Sequence, residues 1–271
     1  MANTVYDNFY LSNEIEDQFN SRIDLMGFVT VDRSLEGVAG MTRKVNVYSA
    51  TGGAEKLEMG EGNTQSIEVT YSPASYEIAL AQSRFVYYDE QEMTDPFAIQ
   101  TGINYMAVDM FNTVNADIYT EFGKATLEVT ASAPDFAAFA DAQALLNSES
   151  VETLNTFAFV SPTDTASVRK ALNEDLRYVE AYARNGYVGT VAGTNVYQKK
   201  DATPGEIILA TPEAVTVFLK KGTEVESSVL NNRSAADANT RLNTIFARKY
   251  YLAALTNATK AVKINVGGGS I

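Results

Sequence analysis

The sequence predicts an α+β protein assembled from elements about as long as a globule of its size is wide. The first observation is residues 96–122, where Ile99, Ile103, Ala107, Met110, Val114, Ile118 and Phe122 keep an unbroken spacing of three and four. A helix of that length spans ~40 Å. The whole chain of 271 residues, packed as a sphere, would be only ~48 Å across. The second is a pair of alternating, β-branched and aromatic stretches around a glycine-rich centre, between Arg43 and Tyr88. The third is residues 136–222, where short helical and strand patterns alternate as in a compact α/β unit. The molecule is therefore expected to be flattened or elongated.

In chain order, Tyr6, Phe9 and Tyr10 lack periodicity and read as an extended arm. Leu11, Ile15, Phe19, Ile23 and Met26 then form an amphipathic helix, with Asn13 and Glu16 as a capping signal and Gly27 as its stop. That apolar stripe needs a partner surface. Residues 28–40 read as loop. Arg43–Tyr48 begins one strand; Gly52, Gly53, Gly60 and Gly62 mark the centre; the return strand starts near Ser66 and runs past Pro73 to Tyr88. An arm of about twelve residues per strand reaches ~40 Å, and an isolated hairpin is marginal in water, so it needs something to lie against.

Asp95 is a good N-cap, Pro96 suits the first helical position and Gly123 stops the long helix. An alanine-rich helix follows Pro134, and Thr156–Val160 reads as a buried strand. Ser161-Pro162 opens a helix with Val168, Leu172, Leu176, Val179 and Ala183 on one face, closed by Asn185-Gly186. Short strands are expected at Tyr187–Val191, Asn195–Gln198, Ile207–Ala210 and Val215–Leu219. A polar stretch after Gly222 extends to about Ala238, followed by a long strand from Leu242 to Leu255 and a short one holding Val262, Ile264 and Val266.

Composition excludes several function classes. The chain has no cysteine, histidine or tryptophan. Disulfides, cysteine zinc sites, thiol catalysis and a Ser-His-Asp triad are therefore impossible. Thirty-four acidic against 21 basic residues leave a net charge of −13, which repels phosphate and argues against sequence-specific nucleic-acid binding. Lys199-Lys200 and Lys220-Lys221, the densest basic runs, read as solvated loop ends. No signal peptide and no membrane-length apolar run is visible.

The order of these elements resembles the tailed-bacteriophage major capsid proteins with the Hong Kong 97-type fold. The likeness covers nearly the whole chain. It is carried by Phe28–Asp32 with Val45–Tyr48, leading into Gly52-Gly53-Ala54-Glu55 and Glu61-Gly62; by Phe159-Val160-Ser161-Pro162 with Ala171-Leu172; by Gly189–Lys200; and by Tyr250–Leu255. The resemblance implies an N-terminal arm at 1–30 and an E-loop with flanking strands at 31–90. A peripheral domain with a spine helix would take 91–135, an axial domain 136–222, and returning peripheral strands 223–271. It implies a structural subunit, not an enzyme, that self-assembles as hexamers and pentamers into an icosahedral head shell, with no cofactor and no metal. Its partners would be further copies of itself, a separate scaffolding protein, a portal, decoration proteins and packaged double-stranded DNA without sequence-specific contact, with no membrane. Only about ten residues precede the first helix, so either scaffolding is a separate protein or the chain is a processed one; Met1 favours separate scaffolding. The contact candidates are Ile15, Phe19 and Ile23 on the arm and Gly52, Gly53, Lys56 and Leu57 on the E-loop. Alternatives are an encapsulin-like nanocompartment subunit enclosing cargo and, in a different class, a hydrolase using carboxylates alone.

Three motifs invite chemistry. Gly52-Gly53-Ala54-Glu55-Lys56 lacks phosphate-loop spacing and sits between strands, so a hairpin tip is expected. Asp89-Glu90-Gln91-Glu92 offers oxygen ligands for a cation, but reads first as favourable charge near a helix start. Some capsid proteins of this kind form Lys–Asn isopeptide cross-links assisted by a glutamate. Lys56 is suitably placed, near Glu55, Glu58 and Glu61, yet no matching Asn or glutamate can be assigned, and no cross-link is expected.

Overall fold

The computed structural model describes residues 23–52, 54–64, 66–146, 155–172, 189–229 and 233–267. Strand alternation explains its centre. β5 (Leu127–Ala131), β6 (Phe157–Val160), β7 (Thr190–Val191), β8 (Thr194–Gln198), β9 (Glu206–Ala210) and β12 (Ala261–Val266) form a sheet in the order β5-β12-β9-β6-β8-β7. Successive side chains leave opposite faces of a strand, and here both faces are covered. Phe157, Phe159, Ile208 and Ala210 enter one core; Ala158, Val160, Ile207 and Leu209 enter a second. That is why these strands read as unbroken apolar runs instead of alternating ones.

The second core is closed by α3 (Phe136–Leu146), through Ala138, Phe139, Ala142 and Leu146, and by Val168 of α4 (Pro162–Ala171). Ser161 caps α4 by accepting from the Asp164 amide at 3.1 Å. The first core is closed by the long helix α2 (Pro96–Phe122), through Val114, Ile118 and Phe122. Asp95 accepts from the Phe97 amide at 3.1 Å, and Pro96 stands at the helix start. Both bounds of this helix are as the sequence predicts; Gly123 ends it in right-handed geometry, so the stop needs no positive φ.

A second sheet has the order β1-β10-β11-β4, from β1 (Thr30–Asp32), β10 (Val215–Ser228), β11 (Leu242–Leu255) and β4 (Ala79–Tyr88). The two sheets share the first core, where Val215, Val217, Tyr251 and Ala253 meet Phe157 and Phe159. The strand at 215–228 thus pairs with β11, while the strand at 261–266 joins the six-stranded sheet. Sheet membership alternates along the chain and does not change once at residue 222.

Four expectations are corrected. Ile23 and Asp24 are not helical, and Gly27 lies inside a 3-10 turn (Leu25–Phe28) capped by Asp24, so it stops no helix. The stretch 28–40 contains β1, recruited by parallel pairing of Thr30–Asp32 with Thr216–Phe218. The return strand runs past Pro73 as expected but not unbroken to Tyr88: it breaks at Ile78, which turns into a small core with Leu35, Phe218 and Ala254. The polar stretch after Gly222 is largely ordered: β10 continues to Ser228, and α5 (Ala235–Thr240) follows, capped by Ser234. Its polar residues reflect the outer end of β10, where 221–223 and 225–227 are exposed on both sides of the sheet. The second half of the helix expected after Pro162, and the first two residues of the strand at Tyr187–Val191, lie outside the described residues.

Candidate assembly interface

β2 (Thr42–Thr51) and β3 (Glu68–Glu77) pair antiparallel, from Thr42 opposite Glu77 to Thr51 opposite Glu68. Among the described residues they pair with no other strand. Ten residues per strand reach ~34 Å, slightly under the length expected from sequence. The base of this arm is built into the body. Ile78 is buried, its amide donates to the Met41 carbonyl at 2.8 Å, and the Tyr76 ring stacks on Phe218 at 5.1 Å.

The tip is shaped locally. Gly52 has φ +129°, and a Cβ there would meet the Ser66 carbonyl oxygen at 2.9 Å, so only glycine fits. Glu55 accepts from both the amide and the hydroxyl of Thr64, each at 2.7 Å. A turn at 58–61 is closed by the Glu61 amide on the Glu58 carbonyl at 3.1 Å. This turn lifts Met59 fully into solvent, at 105% relative exposure. Leu57 is also exposed, as are Ile67, just before β3, and Val69 and Tyr71 at alternate positions on it. Exposed apolar side chains in this number make the arm a candidate contact surface.

The candidates read from sequence fall into three groups. Lys56 and Leu57 lie together at the tip, Gly52 stands just past the end of β2, and all three are exposed. Ile23 lies half-buried against its own chain's first core. Ile15, Phe19 and Gly53 lie outside the described residues. Sequence reasoning missed Met59, Met93 and Phe97. The last two are exposed at the corner between α1 (Asp89–Thr94) and α2, and an apolar residue beside a helix start carries no sequence signal that it faces outward.

The acidic run has a structural partner. Arg233, its side chain 7% exposed, donates to both carboxylate oxygens of Asp89, at 3.0 and 2.5 Å. Asn243, fully buried, accepts from Arg233 Nε at 2.8 Å and donates to Asp89 at 2.7 Å. The Arg233 bonds, then the Asn243 bond, hold the Asp89 carboxyl below its ordinary range. This cluster fixes the point where β4 leaves the sheet and turns into α1 and α2. Among the described residues no three acidic side chains converge as a cation site.

Two tyrosines bind α2 to the body. Tyr251 donates to Asp117 at 2.6 Å, and burial, then that carboxylate, raise its phenol. Burial also pushes Tyr119 up to about 12, beneath the Lys199 ammonium, 4.4 Å from the ring centroid; Lys199 is fully buried and paired with Asp201, and so is not the solvated loop end expected from sequence. Burial lowers the Lys249 ammonium. Among the described residues no helix is long and apolar enough to cross a membrane.

No protein-family model matches the sequence. A full-length relative does: the major capsid protein of Staphylococcus phage phiMR11 is 24% identical over 268 residues, covering 96% of this chain and 93% of that protein. Among solved structures, the capsid of cyanophage P-SCSP1u superposes with a TM-score of 0.68 at 12% identity, over 89% of this chain and 87% of the other. The SrpI encapsulin of Synechococcus elongatus PCC 7942 gives 0.62 at 10% identity, over 91% and 90%. The resemblance read from the order of elements is borne out, and the chain has the Hong Kong 97-type α+β fold of phage capsid subunits.

Proposed function

We propose that this chain is a major capsid protein whose copies tile into the icosahedral head shell of a tailed phage. The observation that carries the reading is the β2–β3 arm, which pairs with no other strand among the described residues and exposes Leu57, Met59, Ile67, Val69 and Tyr71. A hairpin that buries this little of its own surface is not stable by itself. Covering it on neighbouring copies supplies the missing burial. Obligate assembly interfaces exceed ~2,000 Å², and at ~25 cal/mol per Å² the gross hydrophobic term is tens of kcal/mol before ordering costs. Mutual overlap then holds a thin shell without enzymatic chemistry. Hexamers and pentamers, a separate scaffolding protein, a portal and decoration proteins complete the assembly, which is made in the host cytoplasm and located in the virion. A net charge of −13 suits a container that encloses double-stranded DNA without gripping it.

A nanocompartment shell is the second reading, favoured by the encapsulin likeness; a gene neighbourhood with terminase and portal genes, and no cargo enzyme, separates the two. Negative-stain microscopy of the expressed protein, alone and with a scaffold partner, tests the proposal. Closed shells are the expected result. A stable monomer under every condition, with a ligand-binding pocket, overturns it.

A further inference from the structure

The arm leaves a full strand edge unpaired, and the body leaves another of the same length. β2 and β3 bond to each other along one edge each. Residues of an antiparallel pair turn their N–H and C=O groups alternately toward and away from the partner strand. The Ile78 amide donates to the Met41 carbonyl at 2.8 Å, one step beyond the Thr42–Glu77 pair, and so sets the parity. Thr42, Lys44, Asn46, Tyr48 and Ala50 therefore aim their backbone groups away from β3, and Pro73, opposite Asn46, stands at an outward position of β3. Proline has no N–H to give. The outer edge of β3 is interrupted in its middle, and that of β2 is not.

On the body, β4 ends its sheet and, among the described residues, pairs only with β11. The Asp89 amide donates to the Arg241 carbonyl at 3.2 Å, one step beyond the Tyr88–Leu242 pair, and no register shift interrupts the pairing down to Ala79. Leu80, Gln82, Arg84 and Val86 thus turn their backbone groups outward. Tyr88, next in that row, finds a partner outside the sheet: its amide donates to the Gln91 side-chain oxygen at 3.0 Å. The remaining edges among the described residues are poor templates. β1, β5 and β7 have three, five and two residues, and β10 beyond its pairing with β1 is broken by two register shifts.

We propose that β2 of one copy adds as a strand to the free edge of β4 on the next, so that the arm and the four-stranded sheet become one sheet shared by two copies. This rests on the shell reading and names how the arm is held there. Both edges are ten residues long, ~34 Å, and neither carries a proline. A third strand is what a two-stranded ribbon lacks for stability in water, and an open edge of this length is a pairing site for another chain. One copy cannot satisfy itself: β4 continues β3 through Ile78, and the outer edge of β2 faces away from that strand. Each copy therefore offers one edge and receives at another. A head-to-tail contact of this kind repeats from copy to copy around a ring.

Deuterium exchange of assembled shells and of unassembled subunits tests the pairing. The amides of Lys44, Asn46 and Tyr48, and those of Gln82, Arg84 and Val86, are expected to exchange at least ~10-fold more slowly in shells, while Tyr71 and Ser75, outward on β3, keep their rate. Shells in which neither row slows overturn the pairing and leave the shell reading standing. Slowing of the β2 row alone gives that edge to another occupant and also overturns it. A parent chain that never forms shells removes the shell reading, and this inference with it. Proline substitution asks the same question through assembly. Lys44→Pro deletes an outward N–H and no bond of the hairpin, so the subunit should keep its urea midpoint and lose shells. Ser75→Pro, opposite Lys44 on the edge already interrupted, should still assemble. Normal shells from Lys44→Pro, or loss of shells from both variants, overturn the proposal. Where Lys44→Pro unfolds the subunit, exchange in the parent decides alone.

Discussion

Replacing Gly102 by alanine sets two effects of opposite sign against each other. In the middle of an exposed helix the change stabilises by ~0.8–1.0 kcal/mol, because alanine loses less backbone entropy. Here a Cβ would stand 2.4 Å from the ring carbons of Phe85 on β4. Ordinary contact begins near 3.4 Å, so the ring must retreat by about 1 Å. Its retreat is obstructed: the ring stacks on Tyr87 at 5.8 Å and packs against the cluster of Met106, Met110 and Ile245. Overpacking of this kind costs ~1–3 kcal/mol. The steric cost wins, and Gly102→Ala is expected to destabilise by ~1 kcal/mol, a fall in Tm of ~2 °C or somewhat more. Urea unfolding of dispersed subunits measures it. Phe85→Leu in the same chain removes the ring edge and restores the helix-forming benefit of alanine. A single variant as stable as the parent, or more so, refutes the claim that helix and strand touch here without slack.

Three further outcomes follow from the geometry. Arg233→Ala leaves the Asn243 carbonyl oxygen buried without its donor, at a cost of ~1–3 kcal/mol, read as a lower urea midpoint. The pH dependence has a fixed sign: the folded Asp89 carboxyl titrates below its ordinary 3.8, so its contribution is complete above that value and is lost as pH falls through the depressed one; the loss of stability below pH 3.8 should be shallower in Arg233→Ala. Ile67→Ser and Val69→Ser together touch exposed positions, so the subunit's unfolding free energy should move by less than ~0.5 kcal/mol per site while sedimentation shows assembly abolished. Normal shells from that double variant sink the role given to the arm.

The parts legible in the sequence are those where one local rule dominates. The bounds of α2 are carried by Asp95, Pro96 and the run to Phe122, and β11 by its β-branched and aromatic residues. Sites decided by residues far away in the chain were not legible. β1 is three residues whose strand state depends on Thr216–Phe218. The break at Ile78 depends on Phe218 and Ala254, and the role of Asp89 on Arg233 and Asn243, 144 and 154 residues away. Gly102 carries no signal at all, because its need for a bare Cα is set by a ring on another strand. For the interface, alternation located Ile67, Val69 and Tyr71 on one side of the return stretch, but only their exposure in the folded chain shows that this side is uncovered.

The arm's two ends are built for different purposes. At the base, Tyr76 and Ile78 sit in a core with Phe218 and Leu35, so the body sets the direction in which the arm leaves. At the tip, the hydrogen bonds of Glu55 with Thr64 and of Glu61 with Glu58 satisfy the backbone locally, while Leu57 and Met59 are left to solvent. Polar groups are therefore paired within the chain and apolar ones are not. That division suits a part that must stay shaped before its partner arrives, since an unpaired buried amide costs more than an exposed methyl gains. It also separates two properties under mutation. Changes at Tyr76 or Phe218 should redirect the arm and alter shell size or curvature, whereas changes at Met59 or Tyr71 should weaken contact at unchanged geometry. Negative-stain images distinguish the two, because the first class yields particles of altered diameter and the second yields fewer particles of the normal one.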